Sequence, residues 1–152
     1  LAVMSWWLDQ LCEKTFPDID DFFKTRKTKN KGWDIEHIAA VAYENEHINL
    51  DQKHSIGNLA LLSPLDQRGA KNAPPLDKLA IYTQSVLVLS KTVTGESLTP
   101  RMNKVRDEIY SACQIEPAWS LANWDTKAIN ARQEFYKSFM TAIVNMELPI
   151  PD

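Results

Sequence analysis

The chain has 152 residues, 44% of them hydrophobic and 24% charged, and this composition is that of one globular domain with its own core. A formal net charge of −3 excludes a uniformly basic surface, so any contact with a polyanion must come from local patches. No apolar run approaches the ~20 residues that cross a bilayer, which excludes a membrane-spanning helix.

The N-terminal segment "LAVMSWWLDQLCEK" predicts a helix, because Val3, Trp7 and Leu11 recur at helical spacing. Cys12 and Cys113 form no CxxC pair, so we expect two reduced, buried thiols and no thiolate zinc site. Beyond this helix the sequence "KTRKTKNK" carries a group of cations, here named the basic run: Lys24, Arg26, Lys27, Lys29 and Lys31. Runs of charge are usually solvated, but this one directly precedes a predicted strand and could also bind DNA phosphates.

Two segments in the middle of the chain, "WDIEHIAAVA" and "IGNLALLS", are predicted strands. A polar loop over residues 41–55 is expected to join them, with His47 and His54 in solvent. Ser63-Pro64 then predicts a helix start, because a hydroxyl cap precedes a proline at the first helical position. Gly69 and the sequence "NAPP" keep this helix short, so the segment predicts a compact β-β-α unit.

The C-terminal half predicts helices only. The segment "LDKLAIYTQSVLVLSKT" is predicted to form one longer helix, and Thr99-Pro100 begins another. Asp125 is the predicted N-cap of the last helix, whose buried face is expected to hold Phe135, Phe139, Ala142 and Met146. The sequence thus predicts a mostly helical α+β fold, one domain over residues 1–152, around a small ββα core at about residues 33–72.

Glu36 and His37 are the first candidates for chemistry. A histidine with a pKa near neutrality can deprotonate a water, and Mg²⁺ needs only one or two protein oxygens beside its waters. The structural alternative is that His37 is only a hydrogen-bond partner of a neighbouring carboxylate. Because neighbours in a regular strand point to opposite faces, a shared site predicts that the strand ends, twists or bulges at this point.

Several motifs in order resemble the C-terminal nuclease domain of GmrSD-type modification-dependent restriction proteins, which belong to the HNH, or His-Me finger, endonucleases with a ββα-metal core. The motifs are "DIEHI" at residues 34–38, "IGNLALL" at 56–62, and the closing segment "WDTKAINARQEFYKSFMTAIV". Four further residues match at similar spacing: Asn72, Pro74, Lys78 and Tyr82. The likeness extends from about residue 33 to about residue 145 and rests on the order and spacing of the motifs together.

The resemblance implies the following roles. His37 matches the general base, Glu36 the acidic metal ligand, and Asn58 the asparagine that supports the base and the hairpin. Where the family has a second metal-binding asparagine this chain has Gln67, which keeps an amide oxygen on a longer side chain; the neighbouring Asp66 is the alternative ligand.

Three further cations are expected to help the basic run to bind DNA, namely Arg68, Lys71 and Lys78, although a lysine in the position of Lys78 is usually a solvated helix residue. The resemblance implies Mg²⁺ or Mn²⁺ as cofactor, and DNA as substrate.

The biological setting implied by the resemblance is restriction of foreign, often modified, phage DNA in the bacterial cytoplasm. We expect the chain to be the C-terminal part of a longer protein whose nucleotide-hydrolysing domain or subunit controls the nuclease. Because Gln67 departs from the family pattern, a catalytically inactive DNA-binding or regulatory module with the same fold stays open as an alternative. A helical protein–protein adaptor is the third hypothesis, favoured if the basic run is not needed for DNA binding.

Overall fold

Two short strands form where the apolar segments on either side of the polar loop meet. In the computed structural model, which describes residues 1–12, 32–96 and 98–150, strand β1 is Asp34–His37 and strand β2 is Leu59–Leu62. They pair antiparallel, with Asp34 opposite Leu62 and His37 opposite Leu59. Both strands are shorter than the sequence predicts, since β1 gives way to a bend after His37 and a 3₁₀ turn, Ile56–Asn58, precedes β2.

Helices surround this sheet. Their bounds are α1 Ala2–Leu11, α2 Leu50–His54, α3 Pro64–Ala70, α4 Leu79–Gln84, α5 Val88–Lys91, α6 Pro100–Ala112 and α7 Thr126–Val144. Further 3₁₀ turns are Leu76–Lys78, Thr92–Thr94 and Leu121–Asn123. The predicted α+β class, mostly helical around a small antiparallel sheet, is confirmed.

Capping side chains explain why three of the helices begin where the sequence predicts. The hydroxyls of Ser63 and Thr99 accept from backbone N–H groups at the starts of α3 and α6, and the carboxylate of Asp125 does so for α7. Pro64 and Pro100 occupy the first helical positions of α3 and α6, where a missing N–H costs nothing.

Helix α7 forms the main packing surface for the hairpin. Its core face carries Phe135 and Phe139, which stack on each other and, together with Tyr110 and Trp119, form an aromatic cluster. The other end of α7 lies against the 3₁₀ turn before β2, at Gly57. A methyl group placed on Gly57 would lie only 2.1 Å from the carbonyl oxygen of Ile129, so only glycine permits this approach.

Three expectations from the sequence are wrong. The polar loop contains helix α2, which begins with a capping box: Asn49 accepts from the backbone of Gln52, and Gln52 accepts from the backbone of Asn49. The predicted long helix is broken at Ser85 into α4 and α5, because the carboxylate of Asp9 accepts from Val88 N–H and provides a start for α5. Met146 follows α7 with a positive φ and is exposed.

The sequence also leads to expectations about the two cysteines, the basic run and a membrane-spanning helix. Cys12 and Cys113 are both buried, as expected, and burial raises the pKa of the Cys113 thiol to about 11. The basic run lies outside the described residues. Within the parts of the chain that the structure describes, no helix has both the length and the apolar character to cross a membrane.

Candidate active site

An open cavity of about 370 Å³ lies at the end of β1, between the sheet and helix α3. Glu36 and His37 both line it, together with Gln67 and Lys71 from α3 and its C-terminal cap. Strand β1 ends at His37 and the chain then bends, which is the irregularity that a shared site requires. The two neighbours therefore border one space although they are consecutive in sequence.

Strand β1 has an inverted pattern of burial. Asp34 and Glu36 are buried, whereas Ile35 between them is 60% exposed. A strand selected only for packing would place the isoleucine inside and the carboxylates in solvent. A buried carboxylate is costly unless it has partners, so core packing alone does not explain the position of Glu36.

Lys78 is the partner of Glu36. Its Nζ lies 2.6 Å from Oε1 of Glu36 and donates to the carbonyl oxygen of His37 over 2.7 Å. The side chain has no exposed surface, so the expectation of a solvated, DNA-binding Lys78 is wrong: its ammonium faces Glu36 and not a phosphate outside. Burial lowers the pKa of Lys78, while the hydrogen bond and charge of Glu36 raise it.

Gln67 and Asp66, the two alternative metal ligands, differ in position. The Gln67 side-chain amide lies 3.4 Å from Oε2 of Glu36 and lines the cavity. Asp66 instead accepts a hydrogen bond of 2.8 Å from the Ser63 hydroxyl at the start of α3, and it does not line the cavity. The geometry therefore favours Gln67 over Asp66 as the residue that acts together with Glu36.

His37 is partly buried, and its ring meets that of His54 edge to face, with ring centroids 5.6 Å apart. Burial lowers the pKa of His37 most, the charges of His54 and Lys78 lower it further, and Glu36 raises it. The neutral imidazole, which is the form that accepts a proton, thus persists to lower pH than in a free histidine.

His54 is exposed, as the sequence predicts, but its contact with His37 was not foreseen. It is the last residue of α2, and the preceding Lys53 fixes that helix by donating to the carbonyl oxygens of Val41 and Tyr43. The capping pair of Asn49 and Gln52, three residues apart, was the sequence signal for this helix.

Asn58 is fully buried, and its side chain makes four hydrogen bonds. Its Oδ1 accepts from Ala39 N–H and from Trp124 Nε1, at 2.9 and 3.0 Å, while Nδ2 donates to the carbonyl oxygens of Ala39 and Lys53 at 2.9 and 2.8 Å. An asparagine amide has no further capacity to donate, so Asn58 ties the bend after His37 to β2 and α2. It supports the hairpin from inside and acts on the site through the backbone.

Arg132 and Trp124 complete this support from the C-terminal side. The Arg132 guanidinium is buried, donates to the carbonyl oxygens of Gly57 and Leu59 over 2.9 Å each, and lies between the rings of Trp124 and Tyr136. These are the tryptophan and arginine of the closing segment on which the resemblance partly rests. Their contacts explain the structural role of the closing segment, which holds in place the 3₁₀ turn that precedes β2.

The donor set suits one kind of cation. Among the described residues no three histidine, cysteine or acidic side chains come together, which disfavours zinc held by the protein alone. A carboxylate and a side-chain amide, Glu36 and Gln67, line the same open cavity, and Gln67 Nε2 donates to Oε2 of Glu36 over 3.4 Å. Mg²⁺ or Mn²⁺ is commonly held by a carboxylate oxygen and an amide oxygen, with water and substrate oxygens completing its shell. Glu36 and Gln67 are therefore the residues that fit such an ion.

A histidine, a carboxylate and an amide thus line one open cavity in a mostly helical α+β domain. The family model described as "GmrSD restriction endonucleases, C-terminal domain" matches residues 6–138. The chain belongs to this family, and it is a restriction-endonuclease domain of the nuclease class. No curated protein and no solved structure matches the chain.

Proposed function

We propose that this domain is a metal-dependent DNA endonuclease of the HNH, or His-Me finger, type, which hydrolyses phosphodiester bonds. The observation that carries the proposal is that Glu36, His37 and Gln67 border the same open cavity at the end of β1. A base, a carboxylate and a side-chain amide within one solvent-accessible space are the groups that this reaction requires.

His37 is the general base in this proposal. Its imidazole takes a proton from water, the water oxygen forms a bond to phosphorus, and the bond from phosphorus to the 3′-oxygen breaks; the leaving oxygen takes a proton from solvent. The products are a 5′-phosphate and a 3′-hydroxyl. A lowered pKa supports this role, because it leaves the imidazole unprotonated and able to accept near neutral pH.

Glu36 and Gln67 are the proposed holders of Mg²⁺ or Mn²⁺, with Asp66 as the alternative to Gln67. When bound, the cation supplies positive charge that stabilises the negative charge developing on the leaving oxygen. Asn58, through its bonds to Ala39 and Lys53, holds the chain around His37 in place.

DNA is the proposed substrate, and the cations that border the site support this. Lys71 lines the cavity and is exposed, and Arg68 is exposed on α3, the helix that precedes it. We include the basic run among the proposed DNA contacts on its position in the sequence, directly before β1. In cells we propose restriction of foreign or modified phage DNA in the bacterial cytoplasm, under control of a nucleotide-hydrolysing domain or subunit.

Plasmid nicking in the presence of Mg²⁺ or Mn²⁺ tests the proposal. His37→Ala is expected to lower the nicking rate by about 10³-fold or more, because the reaction loses its base, and to leave the thermal midpoint of unfolding unchanged. His47→Ala is the matched control, since His47 is exposed in the same connection between the strands but does not line the cavity. Equal nicking by the His37→Ala protein would exclude this function.

The pairing of Glu36 with Lys78 favours a second candidate, a DNA-binding or regulatory module that retains the fold without catalysis. In such a module the carboxylate serves the ion pair alone. Calorimetric titration with Mn²⁺ separates the two candidates, because a non-catalytic module with this pair shows no binding that depends on Glu36, whereas in the nuclease Glu36→Gln abolishes that binding.

A further inference from the structure

Lys78 is a buried charge that the proposed reaction does not use. It ends the 3₁₀ turn Leu76–Lys78 directly before α4, and its ammonium reaches across to β1. Lysine is almost never fully buried unless its charge is paired. Here the pair is Glu36, and the second acceptor is the backbone carbonyl of the neighbouring His37.

One ammonium thus contacts both candidate residues of the site at once. An ammonium has three donors, and two of them are directed to the end of β1. A carboxylate has two oxygens: Oε1 of Glu36 accepts from Lys78 at 2.6 Å, while Oε2 accepts only a long hydrogen bond, 3.4 Å, from Gln67 Nε2. A cation that approaches Glu36 therefore finds one oxygen available and meets the positive charge of Lys78 behind it.

We propose that Lys78 is a positioning residue, which leaves only one oxygen of Glu36 available to a divalent cation and thereby weakens the binding of that cation. It also holds the end of β1, so that Glu36 and His37 keep their places. The inference rests on the proposed function, in which Glu36 is a metal ligand. This role and a purely structural role predict different directions of change in metal binding and catalysis. Loss of a structural residue weakens metal binding and catalysis together, whereas loss of Lys78 strengthens the first and weakens the second.

The test compares the neutral variants Lys78→Met and Lys78→Gln with Lys78→Arg in the whole chain. Methionine keeps the apolar length of the side chain, glutamine keeps a donor for the His37 carbonyl, and arginine keeps the charge. In calorimetric titrations with Mn²⁺ the two neutral variants are expected to bind roughly tenfold more tightly than the wild type, because a nearby like charge has been removed. Lys78→Arg is expected to bind as the wild type does.

Plasmid nicking at saturating Mn²⁺ is the second measurement. The neutral variants are expected to nick roughly tenfold more slowly in kcat, because Glu36 is free to turn and the His37 carbonyl loses its charged partner. Circular dichroism and thermal unfolding establish that each variant is folded. If Lys78→Met does not fold because Glu36 is left unpaired, Lys78→Gln provides the same comparison.

The outcomes are distinguishable. Neutral variants that fold, and bind Mn²⁺ no more tightly than a wild type that both binds and nicks, overturn the role of Lys78 and leave the proposed function intact. Absence of Mn²⁺ binding and of nicking in the wild type and in every folded variant overturns both. Binding by the neutral variants alone supports the inference, since it shows that Lys78 opposes the cation.

Discussion

The two sides of the hairpin differ in what their polar side chains face. On the inner side, against α7, Asn58 makes four hydrogen bonds, and Arg132 donates to the backbone carbonyls of Gly57 in the turn before β2 and of Leu59 at the start of β2. On the outer side, His37 and Gln67 border an open cavity, and the amide of Gln67 has one long contact, 3.4 Å, to Glu36. Asn58 is fully bonded and fixes the backbone around it, and Nε and Nη2 of Arg132, although without a hydrogen-bond partner among the described residues, are sealed from solvent. The polar groups of the outer side face an open cavity, where a substrate or a cation can reach them.

Burial alone does not separate these two sides. Glu36 is buried almost as completely as Asn58, yet it lines the cavity, and its partner Lys78 lies behind it with no exposed surface. The difference lies in the partners: Asn58 is bonded mainly to backbone, whereas Glu36 keeps one oxygen directed toward Gln67. The inner side therefore holds the shape of the site, and the outer side carries the groups of the proposed chemistry.

The largest expected effect falls on the inner side. Gly57→Ala places a methyl group 2.1 Å from the carbonyl oxygen of Ile129, so α7 must move away from the hairpin. We expect the free energy of unfolding to fall by about 3 kcal/mol or more. Nicking is expected to fall as well, because Gly57 adjoins Asn58. Urea denaturation followed by circular dichroism measures the loss of stability.

Gly69→Ala is the matched control on the outer side. A methyl group there would first meet the end of the flexible Ile81 side chain at 3.4 Å, and alanine is preferred to glycine inside a helix such as α3. Stability should stay the same or rise by about 0.5–1 kcal/mol. Equal losses in the two variants would contradict the division into a fixed inner side and an open outer side.

Local signals in the sequence were sufficient for much of the fold. The helix starts at Ser63, Thr99 and Asp125 rest on side chains that cap their own helix, so a short stretch of sequence predicts them. The β-β-α order and the pairing of Glu36 with His37 at one cavity likewise follow from motifs a few residues long, once the strand is expected to end there.

Long-range contacts decided most of what the sequence did not predict, although helix α2, which was also missed, begins with a local capping box of Asn49 and Gln52. The break between α4 and α5 depends on Asp9, which lies 79 residues from Val88 in the chain. Lys78 reaches Glu36 across 42 residues, and no local pattern distinguishes it from a solvated helix lysine. The role of Asn58 in bonding Trp124, 66 residues away, is of the same kind. Only the folded chain brings these groups together.

The pH dependence of the nicking rate tests the groups on the outer side of the hairpin. His37 has a lowered pKa, for which burial is the largest cause and the charge of His54 the next, so the nicking rate should fall on acidification only below the usual titration range of a histidine. His54→Ala removes one cause that lowers the pKa. The pKa of His37 should therefore rise, and the acidic limb of the pH–rate profile should move to higher pH.

The position of that limb is measured from kcat/KM for nicking across a pH series at constant ionic strength. His47→Ala is the control, because His47 is exposed and its ion-pair partner is Glu46, not a residue of the cavity. A limb that stays in place in His54→Ala, or moves to lower pH, would show that His54 does not act on His37.

The smallest expected effect concerns Lys71, where stability and binding should change in opposite directions. Lys71 follows α3 with a φ of 37°, a conformation that favours glycine, and it lines the cavity. Lys71→Gly should raise the free energy of unfolding by about 1 kcal/mol, because backbone strain is relieved. DNA binding should weaken, and the slope of log affinity against log salt should decrease by about 1, because one phosphate contact is lost.

Lys71→Ala separates the two effects: it removes the same charge but keeps the strain, so its DNA binding should match that of Lys71→Gly without the gain in stability. DNA binding unchanged in both variants would remove Lys71 from the proposed DNA contacts, while its backbone strain would stand as a property of the turn alone.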